Sequence, residues 1–571
     1  MKIFVAFFGV LLCISNAHGQ KIPDSVRREA QRLEERESER LQQRERVFHD
    51  SQIRAPEIDL GDEDVAPLAN SNVCIAVKKA SISGLTRYKL ADFSVALNDL
   101  ISPCTKQSQI DALLRAITNR YVRDGYITSR AIYVPERSEI DAVQITVVEG
   151  QLNNIEGEGS AVKLTYDSEL DSAFPRLSRH HLNLRDLEQG VDQLARMSGS
   201  EPRIDILPGS AAGTSNITVK RQVNAPWIRP SITLSNDGSA KTGRQVGTVS
   251  LDIDSPFGAA DFWSFYYIRD VERGAEQGAE GYGAFFSLPY GYTTLIVSGG
   301  RYKFFTVLES NELRFGNTGD SVNGSLGIDH LLFRDRKTKI SVSGALSFYD
   351  TVNRIQDIRL STNSYRIVSG QVGFRVQRRI GAGLVLADLT LSRGFAIFGA
   401  EAADIGPGSD GLKFRKLEAN LGYQARMAIL GVATDYSVAL RGQWAFDPVL
   451  PAERLSLGGS STVRGFRDDG ISGTRGATVR QQLGIGLFRL FSDAPNNTAT
   501  QLSAIVGYDA GAIVPKRGDP FERGFLHSSS LGLRLLNRRM LAEISVAAPL
   551  SAPATVQRAR VELAASVRLT I

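Results

Sequence analysis

A chain of 571 residues is long enough for three or four domains, or for one large barrel with accessory modules. Its 67 Lys and Arg against 62 Asp and Glu leave a formal charge of +5, too small over this length to point to nucleic acid. Apolar residues at 42% exclude global disorder, no run of 18 apolar residues offers a helical span, and three Cys rule out a Cys-rich metal protein.

The chain opens with Lys2, an apolar run from Ile3 to Ile14, and the small residues Ser15, Ala17 and Gly19. This is the pattern of a cleaved export signal over residues 1–19. Export leaves two cysteines, Cys74 and Cys104, and an even pair in an oxidising compartment reads as a disulfide. Closing a loop of about 30 residues contributes roughly 2–4 kcal/mol.

Residues 20–46 form the next unit, and 21–46 carry eight basic and seven acidic side chains. Arg28, Arg32, Arg36, Arg40 and Arg44 recur every fourth residue and form one slowly drifting helical stripe. With few apolar residues on it, such a helix is either a solvated single helix or a plug for a polar cavity. Residues 47–71, with Pro56, Pro67 and scattered acids, read as a linker.

Residues 72–150 read as β-α-α-β-β, with helices over 90–101 and 107–123 and strands over 128–134 and 142–148. Residues 151–224 repeat a similar order, with a strand at 152–155, a helix at 184–197, and strands at 204–207 and 216–223. His180 and His181, adjacent between these elements, read as an exposed structural pair.

From residue 225 to the end the apolar period switches to two. Sixteen candidate strands follow: 228–236, 245–254, 261–271, 279–288, 292–303, 321–333, 337–350, 364–377, 382–394, 413–428, 431–445, 477–491, 500–513, 527–536, 539–549 and 558–571. In the last, Val561, Leu563, Ala565, Val567, Leu569 and Ile571 share one face; fourteen residues at ~3.3 Å reach roughly 46 Å, enough to cross a bilayer at a tilt. Connections alternate between short turns and long loops at 304–320, 351–363, 395–412 and 446–476. The expected fold is mostly β: a 16-stranded antiparallel transmembrane β-barrel, preceded by two α+β modules and an N-terminal helix.

No HExxH, GxxxxGK[ST] or GxSxG pattern occurs, so no enzyme, cofactor or metal site is expected. The loop 446–476 instead carries Val463, Arg464, Gly465 and Phe466, bracketed by Gly and Ser. On the strand 500–513, Asp509 shares its phase with Gly507 and Gly511, the phase assigned to the lumen because a carboxylate facing lipid is expensive. Either the loop folds into the barrel and Arg464 pairs with Asp509, or it is a surface loop with an exposed Arg.

Val463-Arg464-Gly465-Phe466, and Asp509 within Tyr508-Asp509-Ala510-Gly511, resemble the sixth-loop motif and its strand partner in the outer-membrane barrel superfamily that includes BamA. Asp124-Gly125-Tyr126 through Arg130 with Val148-Glu149-Gly150, and Asn183-Leu184-Arg185-Asp186-Leu187 with Leu207-Pro208-Gly209, resemble the two POTRA domains of the two-partner secretion transporters. That is the TpsB, or hemolysin secretion/activation, family of the ShlB, FhaC and HecB type.

The resemblance implies an outer-membrane transporter of a Gram-negative bacterium with its POTRA domains in the periplasm. It would capture an unfolded exoprotein (a large β-helical adhesin, cytolysin or contact-dependent toxin) and pass it to the surface without ATP. It also implies that the stripe helix 20–46 is the plug, and that periplasmic chaperones and the barrel-assembly machinery are partners alongside outer-membrane lipid. A BamA-type assembly factor is the rival, disfavoured by two modules where about five would be expected. The terminal Ile571 departs from the aromatic that commonly ends such barrels.

Overall fold

The computed structural model describes residues 74–571 except 134–140, 159–165, 176–180, 199, 224–225, 273, 275, 311–312, 404–410, 491–499 and 515–522. The export signal 1–19, the stripe helix 20–46 and the linker 47–71 therefore lie outside the described residues.

The first module is a three-stranded sheet whose central strand Ala142–Val148 pairs parallel with Lys79–Ser83 and antiparallel with Arg130–Tyr133. The helix Gln107–Arg123 lays Ile110, Leu113, Ile117 and Tyr121 on it, against Val143, Ile145 and Val147. This is the i, i+3, i+7 spacing doing its usual work of aligning one apolar stripe. Cys74 and Cys104 are disulfide-bonded with Cα atoms 5.0 Å apart, joining the ends of a two-stranded ladder.

The second module repeats the plan around Thr214–Val223, flanked by Gln151–Glu158 and Ser200–Pro208. It holds two helices where the sequence showed one. Among the side chains described in Tyr166–Ala173, the apolar ones in the core are Leu170 and Ala173, too short a stripe to register as periodic. Leu184–Ala195 starts on Asn183, whose Oδ1 accepts from Arg185 N at 2.8 Å, and buries Leu187, Val191 and Leu194.

The remainder closes as a sixteen-stranded antiparallel barrel, from Ile228–Ser235 to Glu562–Thr570, with a two-residue side strand Ile358–Arg359. Leu326, Ile328, Leu346, Phe348, Val567 and Leu569 stand exposed on its outer face, as a lipid-facing surface requires.

Three strand assignments change markedly. The fifth and sixth strands, Thr293–Ser310 and Leu313–Arg334, run through the stretch 304–320 that the sequence marked as a loop. Gly316, Asn317, Gly319 and Asp320 favour turns, but here they sit in a continuous ladder packed over Tyr302, Phe304, Leu308 and Phe315. The last strand is Glu562–Thr570, nine residues instead of fourteen, because 558–561 leave the ladder. Nine tilted residues still span a bilayer. Ile571 follows the strand, exposed on the outside.

Candidate functional site: the long loop and the mouth of the barrel

The segment 446–474 joins the eleventh strand, Val432–Ala445, to the twelfth, Arg475–Leu490, and packs against barrel residues. It pairs with itself as a small hairpin, Leu455–Leu457 against Ile471–Gly473. Leu455, Leu457, Val463, Phe466 and Ile471 are buried against Ile513, Leu526 and Val556, so the loop has an apolar core of its own against the wall. Gly458 and Gly465 take φ of +125° and +88°, a region closed to most side chains, and let the tip reverse.

At the tip Arg464 meets Asp509. Nε and Nη2 donate to Oδ2 and Oδ1 at 2.6 and 2.8 Å, and the Arg464 backbone N–H donates to Oδ2 at 3.1 Å. Nη1 also donates to Gln482 Oε1 at 3.2 Å. The Asp509 side chain is 1% exposed and that of Arg464 8%. A two-point guanidinium–carboxylate pair is directional, and its removal from water offsets much of its attraction. What it supplies is one register for the loop. Gly507 makes the approach possible: a Cβ there would lie 2.2 Å from Arg464 Nη2. Gly511 does the same for Leu457, at 2.9 Å.

A second polar cluster joins the Leu184–Ala195 helix to the short turns at one mouth of the barrel. Arg334, at the end of the sixth strand, donates to Glu188 at 3.0 Å, Gln189 at 2.9 Å and Asp192 at 2.5 Å. Lys339, at the start of the seventh, adds a contact to Asp192. Gln189 and Gln193 both donate to the Gly291 carbonyl in the preceding turn, at 3.1 and 2.8 Å. Tyr292 donates to Asp186 at 2.7 Å. Apolar periodicity does not reveal this docking, because a polar helix face ordinarily meets water. The one available signal was the clustering of Glu188, Gln189, Asp192 and Gln193 on a single face, with basic residues flanking a short barrel turn.

Between the two modules, Glu149 collects the junction. Burial raises its pKa, but donors from Thr86, Tyr121 and the Thr86 and Arg87 backbone outweigh it and hold the carboxyl down to about 2. His181 Nε2 lies 2.8 Å from Glu149 Oε2. His181 is thus a half-buried contact between modules, where the sequence suggested an exposed residue; adjacency to His180 hid a partner 32 positions away. Among the described residues no cluster of His, Cys, Asp or Glu suited to a metal occurs.

Residues 213–535 match the haemolysin secretion/activation protein ShlB/FhaC/HecB, residues 75–150 the ShlB-type POTRA domain and residues 152–208 a further POTRA domain. The hemolysin transporter protein ShlB of Serratia marcescens is 31% identical over 489 residues, covering 85% of this chain and 84% of that protein. The outer membrane transporter CdiB of Escherichia coli O6:K15:H31 is 29% identical over 484 residues, covering 84% and 80%. The solved CdiB from Escherichia coli superposes with a TM-score of 0.83 at 26% identity over 95% of this chain and 98% of its own. CdiB from Acinetobacter baumannii, at 20% identity and TM-score 0.76 over 96% and 100%, shares the fold.

Proposed function

Because this chain belongs to the haemolysin secretion/activation (ShlB/FhaC/HecB) family, we propose that its POTRA domains capture one unfolded exoprotein in the periplasm and that the barrel passes it to the cell surface. It is an outer-membrane two-partner secretion transporter with its POTRA domains in the periplasm. The observation that carries the mechanism is the second module's helix buried against the periplasmic turns of a closed barrel. A chain bound to that module is delivered at the mouth of the pore.

Capture proceeds by strand addition, in which an extended segment pairs with an open sheet edge. Gln151–Glu158 is such an edge: largely exposed and free of proline. Ser200–Pro208, the opposite edge, carries Pro202 and Pro208, which remove donors. Folding of the exoprotein outside the cell supplies direction. The partner is a large β-helical adhesin, cytolysin or contact-dependent toxin, and chaperones and the assembly machinery serve the exoprotein and the barrel. Co-expression with any large, signal-bearing, repeat-rich protein found encoded beside this chain tests the proposal. Appearance of that protein in the medium only with this chain supports it, and equal release without the chain refutes it.

In the same reading the stripe helix, with Arg28, Arg32, Arg36, Arg40 and Arg44, plugs the lumen between transport events. Its mixed charges suit a wet cavity. Deleting 21–46 is expected to raise ion conductance in planar bilayers, and an unchanged conductance would remove the plug.

A further inference from the structure

The barrel closes between its first and last strands over the pairs Ser231↔Thr570 to Ser235↔Ser566. That is five register pairs, against eight in each flanking ladder. Toward the outer end the last strand continues for four more residues, Glu562 to Ala565, with no first-strand partner in the ladder. Backbone groups left open there would be a weak edge.

Two residues from elsewhere fill that gap. Asn236, just past the first strand, exchanges bonds with Ala565: its N–H donates to Ala565 O at 3.0 Å and its Oδ1 accepts from Ala565 N at 2.7 Å. Its Nδ2 donates to Leu563 O at 3.0 Å. The second residue, Arg467, comes from the lumenal loop, three positions after Arg464. One guanidinium nitrogen donates to Asn236 O, on the first-strand side, and the other to Leu563 O at 2.8 Å, on the last strand. Nε and the backbone N–H bind the two oxygens of Glu562 at 2.8 and 2.9 Å. The Arg467 side chain is 4% exposed. A single planar fork thus stands as a rung between the two strands that close the barrel, which a lysine's point charge has no geometry to copy.

Its neighbours reach the loops on either side of the same join. Asp468 accepts from Ala240 N at 2.8 Å and pairs with Arg244 at 2.6 Å, in the loop after the first strand. Asp469 Oδ2 accepts from Gln557 N at 2.8 Å, in the loop before the last.

We propose that Arg467 is a seam latch: the tip of the lumenal loop completes the outer half of the first-to-last-strand join, so that the loop's position and barrel closure are coupled. Withdrawing the loop would take one donor from each strand and strand the Glu562 carboxylate, and the join would fray from its outer end. The inference concerns closure alone and is read without any exoprotein, so its failure leaves the transport reading untouched.

The test uses the purified full-length protein in detergent and the temperature at which its folded, fast-migrating gel band is lost. Arg467→Ala is expected to lower that temperature, and Arg467→Lys to lower it less. Leu234 and Val567, paired across the seam, are then both replaced by Cys and joined by a short bis-maleimide. The Cys74–Cys104 disulfide does not react with it. If Arg467 acts by closing the seam, the cross-link returns Arg467→Ala to the temperature of the cross-linked parent. An unchanged transition in Arg467→Ala and Arg467→Lys overturns the latch, as does a deficit that survives the cross-link. Should Arg467→Ala not insert, Arg467→Lys carries the same comparison.

Discussion

Secretion through an Arg464→Ala variant is expected to collapse, while the amount of barrel inserted in the outer membrane stays unchanged. The substitution removes both side-chain donors to Asp509 and leaves a carboxylate 1% exposed with one backbone N–H for company. Stranding one member of a buried pair costs about 3–5 kcal/mol. The cost falls first on the loop's folded-in conformation; the sixteen strands keep their ladder hydrogen bonds, so the barrel still inserts while the loop loosens. Asp509→Asn keeps the shape and an acceptor and is expected to be milder. The double variant Arg464→Ala with Asp509→Ala should secrete better than the sum of the single losses, since neither charge is then left alone. Exoprotein in the medium, measured beside the gel shift of the barrel, separates transport from assembly. Normal secretion by Arg464→Ala would strip the loop of its functional role.

Arg334→Ala is expected to release the second POTRA domain from the barrel mouth. Arg334 is the shared partner of Glu188, Gln189 and Asp192. Without it, Lys339 alone faces Asp192, and Glu188 keeps only its own helix's Arg185. Again about 3–5 kcal/mol is at stake for the uncompensated acids. Hydrogen exchange at the amides of Leu184–Ala195 should quicken, and spin-label distances between the module and the barrel should broaden. Adding Glu188→Gln and Asp192→Asn to Arg334→Ala should recover part of the docking, because no buried charge then lacks a partner. Exchange equal to the parent's would show that the apolar and glutamine contacts suffice.

The barrel was legible because lipid enforces a strict alternation on each strand, and the sixteen candidates align with the sixteen observed. That rule ends where the lipid ends. The outer reach of Thr293–Ser310 and Leu313–Arg334 carries turn-favouring residues, so the ladder there was hidden. The last strand shows the converse: Val561 keeps the alternation after the ladder has stopped. The pairing of Arg464 with Asp509 was approachable from phase, since Asp509 shares a face with Gly507 and Gly511 and needs a cation. Arg334 and Asp192 were not approachable, because they lie 142 positions apart and each alone reads as a solvated charge. Arg467 was equally silent, its partners being two carbonyls and an acid brought together only by closure of the cylinder.

The most direct measurement places the purified protein in liposomes and offers unfolded exoprotein from the POTRA side with no nucleotide present. Exoprotein is expected to become protected from added protease inside the vesicles, and vesicles bearing the Arg464→Ala variant are expected to protect little. Exoprotein that stays fully degradable with a correctly inserted parent barrel would contradict transport by this chain.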